Sequence, residues 1–421
     1  MVIIMNKERA IPKVRFKSFS GDWKKLKLSS VTSRVRGNDG RMSLPTLTIS
    51  ARNGWLDQRE RFSGNSAGKE QKNYTLLRKG ELSYNKGNSK LAKYGVVFML
   101  DNFEEALVPR VYHSFKTTNE ASSKYIEYLF ETKKPNKELR KLITSGARMD
   151  GLLNINYDDF IGIKITIPKI KEQKKIGSLF KQIDGTITLQ QQLLTDYKQF
   201  KKALLQQLFP QKGESVPKIR FTGFSDDWEL KELKEFIGED VSDGDWIQKE
   251  HIHESGEYRI VQTGNIGIGR YIDKPESAKY LNQESFDELK ANEINPGDIL
   301  ISRLADPAGR ALILPFTSSK MVTAVDVAII RPNKNFISHF LVTRMNSSET
   351  LNDISKQVSG TSHKRLSRKN LEKIELNVPN IEEQEKIGQL FKKLDEAIAG
   401  HEQKLATYQE LKKALLQRMF V

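Results

Sequence analysis

The 421-residue chain has no cysteine, only 6 histidines and only 4 tryptophans. Without cysteine it can form neither a disulfide nor a thiolate zinc site. The one close histidine pair, His251 and His253, reads as two solvent-facing residues on a strand or turn rather than as a metal centre. No stretch approaches the roughly 18 consecutive apolar residues of a membrane span. The apolar run in the opening MVIIMNKERAIPK is too short for a signal peptide. A cytoplasmic chain with no membrane partner and no metal is expected.

Catalytic motifs are missing as well. TGNIGIGRY (Thr263 to Tyr271) has the glycines of a nucleotide loop but neither its Lys-Ser/Thr nor a strand-to-helix setting, so it reads as a hairpin. DPAGR (Asp306 to Arg310) stands without the Asn-Pro-Pro-aromatic signature of amino-methylating enzymes. Asp273 upstream of Glu288 and Lys290 has nuclease-like residue types, but with 29% of the chain charged such sets arise by chance. With no S-adenosylmethionine loop and no catalytic assembly, the chain reads as non-catalytic and without a cofactor of its own.

What is present is positive charge and repetition. Lysine and arginine number 69 against 53 aspartates and glutamates, a formal net charge of +16 that favours an anionic partner. Three blocks recur: PKVRFKSFSGDW from Pro12 returns as PKIRFTGFSDDW from Pro217, PKIKEQKKIGSLFKQID from Pro168 returns from Pro379, and YKQFKKALLQQLF from Tyr197 returns as YQELKKALLQRMF from Tyr408. Between the first block and the second the likeness fades to GELSYNK (Gly80 to Lys86) facing GDILISR (Gly297 to Arg303), with a late Ser-Gly at Ser145-Gly146 and Ser359-Gly360. The order variable, constant, variable, constant suits one scaffold carrying two readers.

The constant blocks read as long helices. Ile176, Phe180, Ile183, Ile187, Leu194, Tyr197, Leu204 and Leu208 recur at alternating spacings of three and four, the seam of a coiled coil. Ile387, Phe391, Leu394, Ile398, Leu405, Tyr408, Leu415 and Met419 repeat it. Gln190, Lys201, His401 and Lys412 interrupt the two seams at equivalent places, either fixing register or lying at exposed edges. From about Lys171 to Phe209 the first helix would rise about 57 Å at about 1.5 Å per residue. Only QKGESV separates Pro210 from the second opening block, at most about 25 Å of chain. An antiparallel pairing of the two helices is therefore predicted, with one reader at each end of a rod and a pseudo-two-fold axis relating the halves.

The fold class is thus α+β, with two globular α/β readers on a coiled coil. The predicted boundaries are a reader over 1–167, a helix over 168–210, a second reader over 211–377 and a second helix over 378–421. Each reader mixes short β-like runs with turns rich in polar and basic residues. Arg, Lys, Asn and Gln match the edges of guanine and adenine, while Ser, Thr and Lys hold phosphates. The candidate DNA contacts are Arg34, Arg36, Arg41, Asn53, Arg59, Asn85, Lys86, Lys90, Lys93 and Arg148 in the first reader. In the second they are Thr263, Asn265, Arg270, Arg303, Arg310, Thr361, His363, Lys364 and Arg365.

Two variable segments, each followed by a P-x-I-x-E-Q-x-K-I-G-x-L-F-x-x-x-D helix (Pro168 to Asp184, Pro379 to Asp395), resemble the specificity subunit of Type I restriction-modification systems. GDILISR and the run from Ser359 to Pro379 are typical of its target-recognition domains; GELSYNKG and SGARMDGLLN in the first reader follow the pattern more loosely. The resemblance covers essentially the whole chain. It implies a non-catalytic subunit that reads a bipartite double-stranded DNA target. It also implies two modification subunits that methylate adenine from S-adenosylmethionine, and restriction subunits that use ATP and magnesium to translocate and cleave unmodified DNA. A coiled-coil adaptor that binds only proteins, with its charge serving solubility, is the competing reading; a self-sufficient DNA enzyme is a third that the missing cofactor loop disfavours.

Overall fold

The computed structural model describes residues 10–61, 68–87, 89–143, 151–238, 241–360 and 364–421. The chain divides into two compact units, one of residues 1–191 with 403–421, the other of 192–402.

In the first unit the opening block leads into the strand Lys24–Lys27, which pairs antiparallel with Lys164–Ile167, Lys24 facing Ile167. Everything between these strands is the reader. Its main sheet is antiparallel and runs in the order Thr32–Arg34, His113–Thr117, Leu82–Asn85, Val96–Met99. Two ribbons, Leu47–Ser50 with Gly54–Asp57 and Thr75–Arg78 with Glu105–Val108, complete it. Tyr84 of the sheet stacks on Phe160 at 4.2 Å. The same core takes in Ile176, Phe180 and Ile183 of the first long helix, Ile170–Gln207, and Leu416, Met419 and Phe420 from the end of the second, Ile381–Met419.

The second unit repeats this frame. Glu229–Glu232 pairs with Glu375–Val378, Glu229 facing Val378, in the register of the first ladder. The main sheet has the equivalent order, Val241–Asp243, Val327–Ile330, Ile299–Ser302, Ala311–Ile313. GELSYNK and GDILISR therefore supply corresponding strands. All four residues of Ile299–Ser302 and of Val327–Ile330 are buried, as their continuous apolar runs require. A further four-stranded sheet, absent from the described part of the first unit, runs Tyr280–Leu281, Tyr258–Val261, Lys320–Thr323, Glu293–Ile294. Its middle pair is parallel. TGNIGIGRY folds back on itself, with Ile266 bridging Tyr271 and the Gly267 N–H donating to the Arg270 carbonyl at 2.9 Å. His251 and His253 are half-buried rather than solvent-facing, His251 lying 3.1 Å from the Ser285 hydroxyl.

The repeated helical motif has a physical reading residue by residue. Glu172 accepts a bidentate pair from Arg15 at 2.7 and 2.8 Å, and Glu383 accepts one from Arg220 at 2.8 and 2.8 Å. These buried glutamates bind each opening block to its helix. The neighbouring Gln173 Nε2 donates to the Pro168 carbonyl and its Oε1 accepts from the Ser122 N–H; Gln384 does the same with Pro379 and Ile337. Each glutamine thus closes its own helix start and meets the start of a reader helix, Ser123–Glu131 or Ser338–Met345. Gly177 and Gly388 let those reader helices cross closely, and Phe180 and Phe391 fill the cores behind.

Within each unit the two helix segments run antiparallel. In the first, Lys412 pairs with Asp184 at 2.8 Å while Phe420 lies 5.8 Å from Phe180. In the second, Lys198 pairs with Glu402 at 2.7 Å and Phe209 lies 5.9 Å from Phe391. Ile187, Leu194, Tyr197, Leu204, Ile398, Leu405, Tyr408 and Leu415 are half-buried; Leu208 is buried just past the first helix end. The polar seam positions have partners rather than open edges: Lys201 holds Asp395, Lys412 holds Asp184 and Glu131, and His401 stacks on Tyr197 at 5.2 Å.

Candidate nucleic-acid interface

The end of the first sheet where Leu82–Asn85 gives way to Lys86 gathers much of the predicted set. Arg34 and Arg36, exposed, lead out of the edge strand Thr32–Arg34 toward that end, and the turn from Lys86 to Gly95 brings exposed Lys90 and Lys93 to it. The Arg34 guanidinium lies 4.2 Å over the Tyr157 ring, a cation–π contact. Beneath them His113 is buried, its Nε2 2.9 Å from the Ile155 carbonyl. Burial, with Lys86 and Arg34 nearby, pushes its pKa below the ordinary histidine value. Lys86 Nζ donates to the same carbonyl at 3.2 Å.

Asn85 shapes this turn, donating to the Ile49 carbonyl at 3.2 Å and accepting from the Gly87 N–H at 3.0 Å. Gly95 is obligatory beside it: φ is +76°, and a Cβ would collide with the Asn85 carbonyl and the Tyr84 ring. Exposed Asn53, at the tip of a ribbon, lines a groove of about 880 Å³ together with Trp55, Lys90, Lys93 and Tyr94. Arg41 and Arg59 are exposed but already carry carboxylates, Arg41 those of Asp39 and Glu105 at 2.7 and 2.6 Å, Arg59 that of Asp57 at 2.7 Å. Those arginines hold all three carboxyls below their ordinary values.

The corresponding end of the second sheet carries Arg303, Arg310, Lys364 and Arg365. Arg365 bridges Leu304 and Ser359 through the backbone and places Nε 2.8 Å from Asp326. Half-buried Arg310 donates to the Thr263 carbonyl at 3.4 Å, so Thr263 joins the edge. Leu366 N–H donates to the Arg303 carbonyl as Leu153 N–H donates to that of Lys86, so the two edges are built alike.

Three of the expected contact residues make structural bonds within the fold. Arg303 is only 4% exposed; its guanidinium donates to the Val325 carbonyl at 2.6 Å and lies 3.1 Å from Asp243, clamping two loops. Asn265 is 6% exposed, donating to the Ile272 carbonyl and accepting from the Gln262 N–H, both at 2.9 Å, and so pins its turn. Arg270 reaches Glu402 of the second long helix at 3.2 Å instead of the edge. Arg148, Thr361 and His363 lie outside the described residues.

The model of the Type I restriction modification DNA specificity domain family matches residues 24–198 and again 225–409. The chain belongs to this family. Both matches begin at the strand ladder or just before it and run into a long helix, so the family domain is the repeated frame itself. In Methanocaldococcus jannaschii the chain is similar to the Type I restriction enzyme MjaVIII specificity subunit, 23% identical over 69% of this chain and 68% of that one. The putative Type I restriction enzyme MjaX specificity subunit of the same organism is 27% identical over 71% and 67%. The fold is that of the Type I restriction-modification S subunit from M. genitalium, with a TM-score of 0.62 at 14% identity, covering 98% of this chain and 99% of that one. The family is one of specificity subunits, and the chain is accordingly non-catalytic. Among the described residues no helix is long and apolar enough to cross a membrane.

Two residues of the specificity-domain edges were not singled out by sequence. Tyr157, in the short helix Tyr157–Ile161, has no local signal, because its role depends on Arg34 arriving from a distant strand. Trp246 has one: a tryptophan in a turn of glycine and aspartate, SDGDW, outside any alternating apolar pattern.

Proposed function

We propose that the chain is the DNA-reading subunit of a Type I restriction-modification complex, each unit reading one half of a bipartite double-stranded target. The observation that carries this is the pair of like-built edges with unlike side chains. On the same ladder and sheet order, the first unit has Arg36, Lys86 and Leu152 where the second has Asp243, Arg303 and Arg365. A shared frame with exchanged polar groups is what two different half-sites require, because base edges are told apart by their donor and acceptor pattern. Exposed Arg36, Lys90, Lys93 and Lys364 would take phosphates, and Arg34 and Arg365 the base edges or sugars beside them. Two modification subunits would supply S-adenosylmethionine-dependent adenine methylation, and restriction subunits the ATP- and magnesium-dependent steps.

The test is single-molecule sequencing of methylated adenines in cells carrying this chain, and in cells where residues 242–370 are exchanged for another reader. One half of a split motif is expected to change and the other to persist. A change in both halves, or methylation indifferent to the exchange, would overturn the reading.

A further inference from the structure

Trp23 and Trp228 are buried, and half-buried Trp55 donates its indole N–H to the Met99 carbonyl at 3.1 Å. Trp246 is 71% exposed. An indole is the largest apolar surface a side chain offers, and folding normally covers it.

A loose loop does not account for this exposure. The Gly244 N–H donates to the Val327 carbonyl at 2.9 Å and the Asp245 N–H to the Thr323 carbonyl at 2.8 Å. The Asp245 carboxylate accepts from Asn292 at 2.8 and 3.0 Å. Gly244 lies so close to the Ala324 carbonyl that a Cβ would overlap it. The turn is thus clamped on both sides, and it presents the ring from a fixed backbone.

Its place is the edge described above. Trp246 follows the Asp243 end of its strand, beside the 323–326 turn that also receives Arg303 and Arg365. Exposed Lys364 and Arg365 and half-buried Arg310 border the same edge, so cations that could meet a nucleic acid surround the ring. In the first unit the chain beyond Arg34 reads VRGNDGR, with no aromatic.

We propose that Trp246 stacks on a base of the half-site read by the second unit. In a duplex the bases stack on one another, so a ring can meet a base only where the reader has unstacked one at its own half-site, and a rigid indole beside these cations is already held in place for it. This rests on the DNA-reading function proposed above. It makes the two half-sites unequal: the second is gripped partly by stacking, the first is not.

The test uses the full chain with whatever partners co-purify, and three duplexes: the split motif found by methylation sequencing, the same with its first half scrambled, and the same with its second half scrambled. Affinities are measured over a series of salt concentrations. For Trp246→Ala, binding to the intact motif is expected to fall roughly ten-fold or more. The slope of affinity against salt should stay unchanged, since no phosphate contact is lost. Discrimination against the scrambled second half should shrink while that against the first is kept, and Trp246→Phe should recover much of the loss. Phe316, 87% exposed but beyond the opposite end of the same sheet, provides the control: Phe316→Ala should behave as wild type. If wild type discriminates and Trp246→Ala binds the intact motif equally well, or loses affinity equally for all three duplexes, the stacking role is wrong. If wild type itself discriminates among none of the duplexes, the DNA-reading function fails and the stacking role with it.

Discussion

Arg303 and Arg365 arrive at one edge from positions far apart in the chain, and they do different things there. Arg365 is exposed beside Asp326, whereas Arg303 is sealed in and bonded to backbone carbonyls. Nothing local in GDILISR or SGTSHKR separates the two, because a polar side chain's role is set by which loop closes over it. Residue types were therefore legible in the sequence as a pool, while their assignment to solvent, fold or ligand was not. His113 shows the same dependence and offers a pH test. Burial beside Lys86 and Arg34 lowers its folded pKa, so its share of stability is whole above the unfolded value of about 6.5 and is lost as the pH falls below it. Glu127 acts in the opposite sense, its carboxyl raised by burial. The informative quantity is thus the difference between wild type and His113→Phe: the variant's melting temperature should fall less between pH 7.5 and 5.5. Equal falls would mean that His113 titrates alike folded and unfolded.

Elements were far more legible than contacts. The heptad spacing and the flanking prolines marked both long helices, since a seam of large apolar side chains leaves a periodic trace whatever it packs against. Reader strands were harder, because short buried runs such as ILIS carry no period. The parallel pairing of Tyr258–Val261 with Lys320–Thr323 joins segments with residues 262–319 between them and has no local sign. The motif glycines look identical in sequence yet differ in their crossings. A Cβ at Gly177 would sit 3.4 Å from the Tyr125 nitrogen and 3.5 Å from Lys124, ordinary contact, whereas at Gly388 it would meet Ile337 at 3.1 Å and the Phe340 nitrogen at 3.2 Å. Alanine in a helix gains roughly 1 kcal/mol over glycine. Gly177→Ala should therefore be neutral or slightly stabilising and Gly388→Ala destabilising, as read from urea midpoints. The same sign for both would show that the reader helices adjust to a methyl group equally.

At the scale of the whole molecule, the second unit is one continuous stretch, 192–402, and the first is not. Residues 10–191 share their core with Leu416, Met419 and Phe420, and the Val14 N–H donates to the Arg418 carbonyl at 2.9 Å. A ribosome delivers the chain from its N-terminus, so residues 10–191 have to wait for residues 403–421. Nascent chains that have released residue 402 but not the final helix turns should yield a protease-resistant core within 192–402 while 1–191 is cleaved. Earlier protection of 1–191 would contradict this order. The molecule is synthesised from one end but its later unit is complete first, and until residues 403–421 emerge the first unit is an open surface that only that helix segment can close.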